Sequence, residues 1–274
     1  MFDAGPLKGE TRRCSEAEQC LGWQIAPSVR HIARRFSRGA YLYHSGDAAE
    51  FLYVIRKGAV KSYLVSVDGH EQIVGFHGVG DVVGFDCIGS REFDGNAVAI
   101  ADTEVDRLPV DAIHRHIAES DFFRQEVLVG MRREIQRLHH LLQLERCTAQ
   151  QRVSSFLLGQ LLKQGMSGDA IARVELPMTR AEMGSFLDLA TETVSRVFTH
   201  LQDRGVIRVV AGAAEVTALS ALIQAAQTGT AETKAAFKRA LARGPANRAG
   251  LASRPPSERA AELLTTMRYV PAYS

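Results

Sequence analysis

Three side chains in the second half of the chain can do chemistry together. Glu192, Ser195 and Arg196 are spaced i, i+3 and i+4 within Thr191–Arg204. A helix there places them on one face near its N-terminus. A guanidinium can clamp O6 and N7 of a guanine, a carboxylate can accept from N4 of a cytosine, and a hydroxyl can bond several bases. Val194, Val197, Phe198 and Leu201 fall on the other side, where a core would take them. The same residues also suit an ordinary solvated face with a Glu192–Arg196 pair one turn apart. Residue types alone leave both readings open.

Other reactive residues form no pattern of comparable content. Cys14, Cys20, Cys87 and Cys147 are the only cysteines, too few and too scattered for a disulfide framework. His31, His44, His70, His77, His114, His116, His139 and His140 show no spacing that singles out an axial ligand. Gly78, Gly80 and Gly84 read G-x-G-x3-G, which is not the dinucleotide fingerprint and leads into more β structure. There is no P-loop, H-E-x-x-H, G-x-S-x-G or C-x-x-C. No catalytic residue and no metal site is assigned, and an enzyme is not expected. Reactivity of Cys14 and Cys20 depends on thiolate character and exposure, so both stay as redox candidates.

The elements that must position the triplet follow from length, charge and periodicity. The 274 residues, 46% hydrophobic and 23% charged, suggest a soluble chain of one large or two modest domains at about 100–200 residues each. No apolar run reaches the roughly 18 residues of a membrane span. The start of the chain has no apolar signal core, so a cytoplasmic protein is expected. Net charge is only +2, which excludes polyanion binding by bulk charge. The charge is uneven: net −4 over 1–145, +2 over 146–210 and +5 over 223–274.

Residues 36–108 read as β. Phe51–Ile55, Val60–Val65, Gln72–Phe76 and Ala97–Ile100 are short β-branched and aromatic runs. Turns at Ser45–Asp47, Lys57-Gly58, Asp68-Gly69, Gly80-Asp81 and Asp94–Asn96 separate them. Such spacing suggests a sandwich or barrel. From about Asp121, Leu128, Met131, Ile135, Leu138 and Leu142 repeat 3-4-3-4. They form either a heptad seam or one face of a helix packed on its own core. Gln151–Lys163 is amphipathic. Thr179 and Glu182 make a capping box that opens Arg180–Leu187. Asp188-Leu189-Ala190 is a turn, and Thr191–Arg204 a second helix that stops at Gly205. Two helices joined by a short turn read as a helix-turn-helix. Val206–Val210 and Glu215–Thr217 suggest a two-stranded wing.

The stretch Met178-Thr-Arg-Ala-Glu-Met-Gly-Ser-Phe-Leu187 with Thr191-Glu-Thr-Val-Ser-Arg196 resembles the DNA-binding motif of the Crp/Fnr superfamily of bacterial transcription regulators. Its E-x-x-S-R form resembles the Fnr and FixK branches. Upstream, Gly46-Asp47, Leu52–Ile55, Gly58, Lys61–Tyr63, Glu71–Ile73, Gly75–His77 and Gly80–Asp86 are similar to the β-roll of those members. The likeness covers roughly residues 14–222.

The resemblance implies an α+β chain. It has an N-terminal arm (1–27), a cyclic-nucleotide-binding-like β-roll, or jelly roll (28–118), and a long dimerisation helix (119–146). A winged helix-turn-helix (147–222) follows. Beyond the likeness, a composition rich in Ala, Thr, Arg, Gly and Pro reads as a basic, disordered tail (223–274). The resemblance implies a homodimer, mainly an activator, reading a TTGAT-N4-ATCAA-like inverted repeat in double-stranded DNA. Respiratory or low-oxygen genes are the expected targets. Glu192, Ser195 and Arg196 become base readers. Thr179, Arg180, Thr191, Thr193, Arg204 and Arg208 become phosphate-positioning residues. Leu128, Met131, Ile135, Leu138 and Leu142 become the dimer seam, and Val65, Asp68, Gly69 and His70 a contact for RNA polymerase. Two positions depart from the pattern: Asp188 stands where a turn glycine is usual, and Ala190 where a threonine cap is usual. Aspartate tolerates the left-handed region at modest cost, and Thr191 is a candidate shifted cap.

The resemblance also frames the signal. Cyclic-AMP members carry Gly-Glu and Arg-Ser pairs where this chain has Gly84-Phe85 and Gly95-Asn-Ala97, so cyclic AMP is not expected. Cys14 and Cys20 match two arm ligands of the iron–sulfur branch. Thr11 replaces a third, and Asp106 stands in place of the β-roll cysteine. No cofactor is therefore expected, and His77 is read as structural. An iron–sulfur cluster, haem, nitric oxide or cysteine oxidation remain the alternative signals. A ligand-binding or scaffold protein that has lost DNA binding is the alternative function.

Overall fold

Eight short strands fill the first half of the chain, each too short to be stable outside a sheet. The computed structural model describes residues 29, 31–144, 147–164 and 172–226. The expected arm, with Cys14 and Cys20, and the tail beyond 226 lie outside the described residues. The strands are β1 (Ile32–Phe36), β2 (Tyr41–Tyr43), β3 (Phe51–Lys57), β4 (Val60–Val65), β5 (Glu71–His77), β6 (Val82–Val83), β7 (Asn96–Ala99) and β8 (Thr103–Pro109). They form two antiparallel sheets ordered β1-β8-β3-β6 and β2-β7-β4-β5. The inner faces bury Leu42, Leu52, Val54, Ile55, Val60, Val105 and Leu108 in one core. This is the expected β-roll.

Local chemistry sets the turns. Gly58 joins β3 to β4 at φ 87, and a Cβ there would lie 2.4 Å from the Asp102 carbonyl oxygen, so no other residue fits. The β4–β5 ladder shifts register between Ser62 and Tyr63. A bulge there changes which backbone groups of β5 face outward on either side of it.

Two helices follow. Helix α1 (Val110–Glu119) and helix α2 (Asp121–Leu144) contribute Val110, Ile113, Phe123 and Val127 to the roll core, with Met131 packed against it. Phe123, Val127 and Met131 are spaced by four and line one side of α2. The long helix expected over 119–146 corresponds to α2, set off from the shorter α1 at Ser120. No helix among the described residues is long and apolar enough to cross a membrane.

The second half is helical with a small sheet. Helix α3 (Ala149–Gln164) starts two residues before the sequence expectation. Thr148 and Gln151 cap it reciprocally: Gln151 N–H donates to Thr148 Oγ1 (3.3 Å) and Thr148 N–H to Gln151 Oε1 (2.9 Å). Strand β9 (Ala172–Glu175), helix α4 (Arg180–Leu187), helix α5 (Thr191–Asp203), strands β10 (Ile207–Val210) and β11 (Ala213–Val216), and helix α6 (Leu219–Ala225) complete the chain. The expected two-stranded wing is three-stranded, in the order β10-β11-β9. Only Ala211 and Gly212 turn the hairpin, with Gly212 at φ 69. Helix α6 carries regular structure through Ala225, past the position 223 expected to begin the tail.

The described residues fall into two compact units. One holds the roll, α1, most of α2, and the segment 177–191 with Lys163 and Gln164. The other holds 144–162, β9, residues from Glu192 on, and the wing. Its buried side chains include Val153, Leu157, Leu161, Val174, Val194, Phe198, Leu201, Ile207 and Leu222.

Candidate nucleic-acid interface

Helix α4 begins with the capping box the sequence foretells. Glu182 N–H donates to Thr179 Oγ1 (3.1 Å), and Thr179 N–H donates to Glu182 Oε2 (2.8 Å). It ends at Asp188 in the left-handed region (φ 52, ψ 55), the only non-glycine positive φ among the described residues. The N–H groups of Asp188 and Leu189 both reach the Gly184 carbonyl. A Cβ on Gly184 would lie 2.5 Å from the Leu189 carbonyl oxygen. Glycine in mid-helix therefore lets the turn fold back over α4.

Helix α5 buries Val194, Phe198 and Leu201 and exposes Glu192, Ser195 and Arg196. It starts at Thr191, so Ala190, not Thr191, occupies the capping position. Among the described residues neither Glu192 nor Arg196 has an ion-pair partner. The solvated-pair alternative is thus not formed, and both heads point to solvent from the first turns. After Asp203 the chain reverses at Gly205 (φ 64), with Val206 N–H on the Leu201 carbonyl (2.9 Å).

The surrounding candidates are held in different ways. The Thr179 hydroxyl is engaged in the cap. Arg180 is half-buried, with Nη1 3.2 Å from Met183 Sδ, and burial pushes its guanidinium pKa down. Thr191 and Arg204 are exposed and Thr193 is half-buried. Arg208 differs from its sequence expectation as a free phosphate ligand. Its cross-strand partner is Glu215, and Glu215 Oε2 lies 2.6 Å from Arg208 Nε and 2.5 Å from Nη2. The pair cancels the cation that a phosphate would meet.

On α2, Leu128, Ile135 and Leu138 are 52%, 53% and 40% exposed. Met131 departs from the expected seam and packs against the roll core, because it continues the Phe123–Val127 face. The Leu142 side chain lies outside the description. At the β4–β5 tip, Val65, Val67, Asp68, Gly69 and His70 are exposed. Ser66 N–H bonds the His70 carbonyl (2.9 Å) and Gly69 adopts φ 81. The Ser66 hydroxyl holds the Asp68 carboxyl below its usual range.

One residue of the region carries no sequence signal. Ser185, on α4, accepts from the Ile73 N–H (3.1 Å) and donates to the Glu71 carbonyl (3.1 Å). A serine in a helix with partners more than 100 positions away shows no local pattern.

Residues 33–120 match the family model of the cyclic nucleotide-binding domain, and residues 151–225 that of the Crp-like helix-turn-helix domain. The chain is 34% identical over 229 residues to the Anaerobic regulatory protein of Haemophilus influenzae, covering 81% of this chain and 88% of that protein. It is 32% identical over 204 residues to the Fumarate and nitrate reduction regulatory protein of Escherichia coli K12, covering 72% and 82%. Among solved structures, FixK2 from Bradyrhizobium japonicum superposes with a TM-score of 0.68 at 26% identity, over 74% of this chain and all of that one. With a β-roll followed by a winged helix-turn-helix, the chain belongs to the Crp/Fnr family of DNA-binding transcription regulators, on its Fnr/FixK branch.

Proposed function

We propose that this protein is a homodimeric, mainly activating regulator that reads a TTGAT-N4-ATCAA-like palindrome in double-stranded DNA. The observation that carries the reading is the exposed Glu192–Ser195–Arg196 face, whose charged heads have no ion-pair partner among the described residues. N-terminal turns of a recognition helix reach base edges in the major groove. Thr191, Thr193 and Arg204 flank this face and set register on phosphates. Thr179, Arg180 and Arg208 are lesser contributors, given their internal partners. A palindrome needs two such faces, and Leu128, Ile135 and Leu138 supply the apolar stripe for pairing. Burying the exposed half of each stabilises by about 1 kcal/mol.

The relatives' names, an anaerobic regulator and a regulator of fumarate and nitrate reduction, support targets in respiration at low oxygen. The exposed Val65–His70 tip supports a contact with RNA polymerase, and the protein acts in the cytoplasm with its DNA.

Among the described residues, the positions that would hold an iron–sulfur cluster or a cyclic nucleotide are poorly suited to either group. Asp106, in the position of the β-roll cluster ligand, is buried and paired with Arg56, and His31 Nε2 lies 3.7 Å away. A carboxylate neutralised in this way does not replace a thiolate for an iron–sulfur cluster. Cys87 is fully buried, which pushes its thiol up to about 12. For a cyclic nucleotide, the turn after Gly84 presents Asp86, whose carboxyl is pushed up by burial despite the bond it accepts from Asp94 N–H. A phosphate there would face carboxyl groups and no arginine–serine pair. The Tyr43 and Phe93 rings stack at 3.7 Å beside Gly84. These features support a regulator that needs no resident cofactor.

The test is binding of the purified protein to the palindrome and to a scrambled duplex, with stoichiometry from sedimentation. Two chains per palindrome and preference for it are expected. A monomer with equal affinity for both duplexes would refute the proposal.

A further inference from the structure

Strand β5 is an outer strand of its sheet, and an outer strand presents unpaired N–H and C=O groups that a fold must cover. Here side chains of three helices cover them. Ser185 Oγ, on α4, accepts from Ile73 N–H and donates to the Glu71 carbonyl, both at 3.1 Å. One hydroxyl thus does what a neighbouring strand would do, taking a donor and an acceptor two residues apart. Gln72 Nε2 returns a bond to the Ser185 carbonyl (2.7 Å). Beyond the bulge, Arg137 of α2 donates to the Val74 carbonyl, and Lys163 of α3 donates to the Phe76 carbonyl (3.2 Å) and to Asp81 (3.1 Å). Two further contacts flank the Ser185 bonds. Lys61 Nζ lies 2.8 Å from Glu182 Oε1, both side chains largely buried, and the Phe76 and Phe186 rings lie 5.2 Å apart.

We infer that Ser185 is a positioning residue for DNA reading. It seats α4 on the open edge of β5 and thereby fixes where the Asp188–Ala190 turn delivers the first residue of α5. Arg137, which holds the same edge further along, directly precedes the seam residue Leu138. One strand therefore serves as the common frame for the helix that pairs subunits and for the first helix of the DNA-binding motif. The inference rests on the DNA-reading proposal, but its first test does not.

The experiment compares the full chain with Ser185→Ala, Ser185→Thr and Lys61→Gln. Amide exchange at Ile73 is read without DNA, and affinity for the palindrome is read separately. Losing the hydroxyl should speed Ile73 exchange and weaken palindrome binding, each by about threefold to tenfold, the worth of one such bond. Ser185→Thr keeps the hydroxyl and should leave both near the parent values, and Lys61→Gln should shift both in the direction of Ser185→Ala. The sedimenting mass should stay that of the parent. Unchanged Ile73 exchange in Ser185→Ala would show that the seat does not exist. Faster exchange with unchanged affinity would show that it does not position the reading helix. Absence of palindrome binding by the parent, with Ile73 exchange still responding to Ser185→Ala, would fault the DNA reading and leave the seat intact.

Discussion

Lys61 Nζ sits 2.8 Å from Glu182 Oε1, while the other oxygen of the same carboxylate caps α4 through Thr179 N–H. Burial alone would raise this carboxyl, but the Lys61 and Thr179 bonds outweigh it and hold the pKa below the usual value. Glu182→Ala removes the cap and strands a largely buried ammonium. It should cost about 1–3 kcal/mol, of which the cap accounts for about 0.5–2. Glu182→Gln keeps the acceptor for Thr179 and should cost less. Urea unfolding at an unchanged slope checks the order of the two variants.

His77 gives the molecule an acid-sensitive point. Its Nε2 lies 2.9 Å from Ser62 Oγ. Burial drives the imidazole down to about 4; Asp81 and Glu134 oppose this, and Lys163 and Arg137 add to it. The unfolded chain takes up this proton near pH 6.5 and the native chain near 4. Between these values the native state binds fewer protons, so stability is complete above 6.5 and falls as pH drops. The loss should reach about 2 kcal/mol by pH 5. His77→Gln should flatten this slope, as read by denaturation at pH 7 and pH 5. Equal slopes in both proteins would assign the loss to other groups.

Leu138→Asp places like charges face to face in the proposed seam and should convert dimer to monomer in sedimentation equilibrium. Met131→Ala tests a different face. It should lower stability by about 2–5 kcal/mol if fully seated, less for its half-buried state, while changing association less than Leu138→Asp does.

Gly184→Ala raises helix propensity by about 1 kcal/mol yet should destabilise the protein. The added methyl meets the Leu189 carbonyl oxygen, a backbone atom that cannot swing aside. A higher melting temperature would show that the turn has room the geometry denies it.

Elements whose cause is local were legible in the sequence. The Thr179–Glu182 cap, the Arg180–Leu187 helix and the Gly205 stop all depend on neighbours within four residues. Asp188, out of place for a turn glycine, adopts the left-handed φ of 52 that its position implies. Elements whose cause is distant were not legible. Strand β9 is four residues with only Val174 fully buried, and pairing with β11 defines it. Met131 fits the heptad spacing as well as Leu128 does; only the roll decides that it turns inward. The capture of Arg208 by Glu215 needs the wing register. The seat of Ser185 on β5 joins residues no periodicity connects.

The most direct test of the central claim crosses protein and base. Affinities are measured for the parent and Arg196→Ala on the palindrome, and on one whose half-site guanine pairs are replaced. Arg196→Ala should lose about 1–3 kcal/mol per half-site on the intact sequence and almost nothing on the replaced one. An equal loss on both duplexes would mean that Arg196 touches only the backbone and that α5 does not read the sequence.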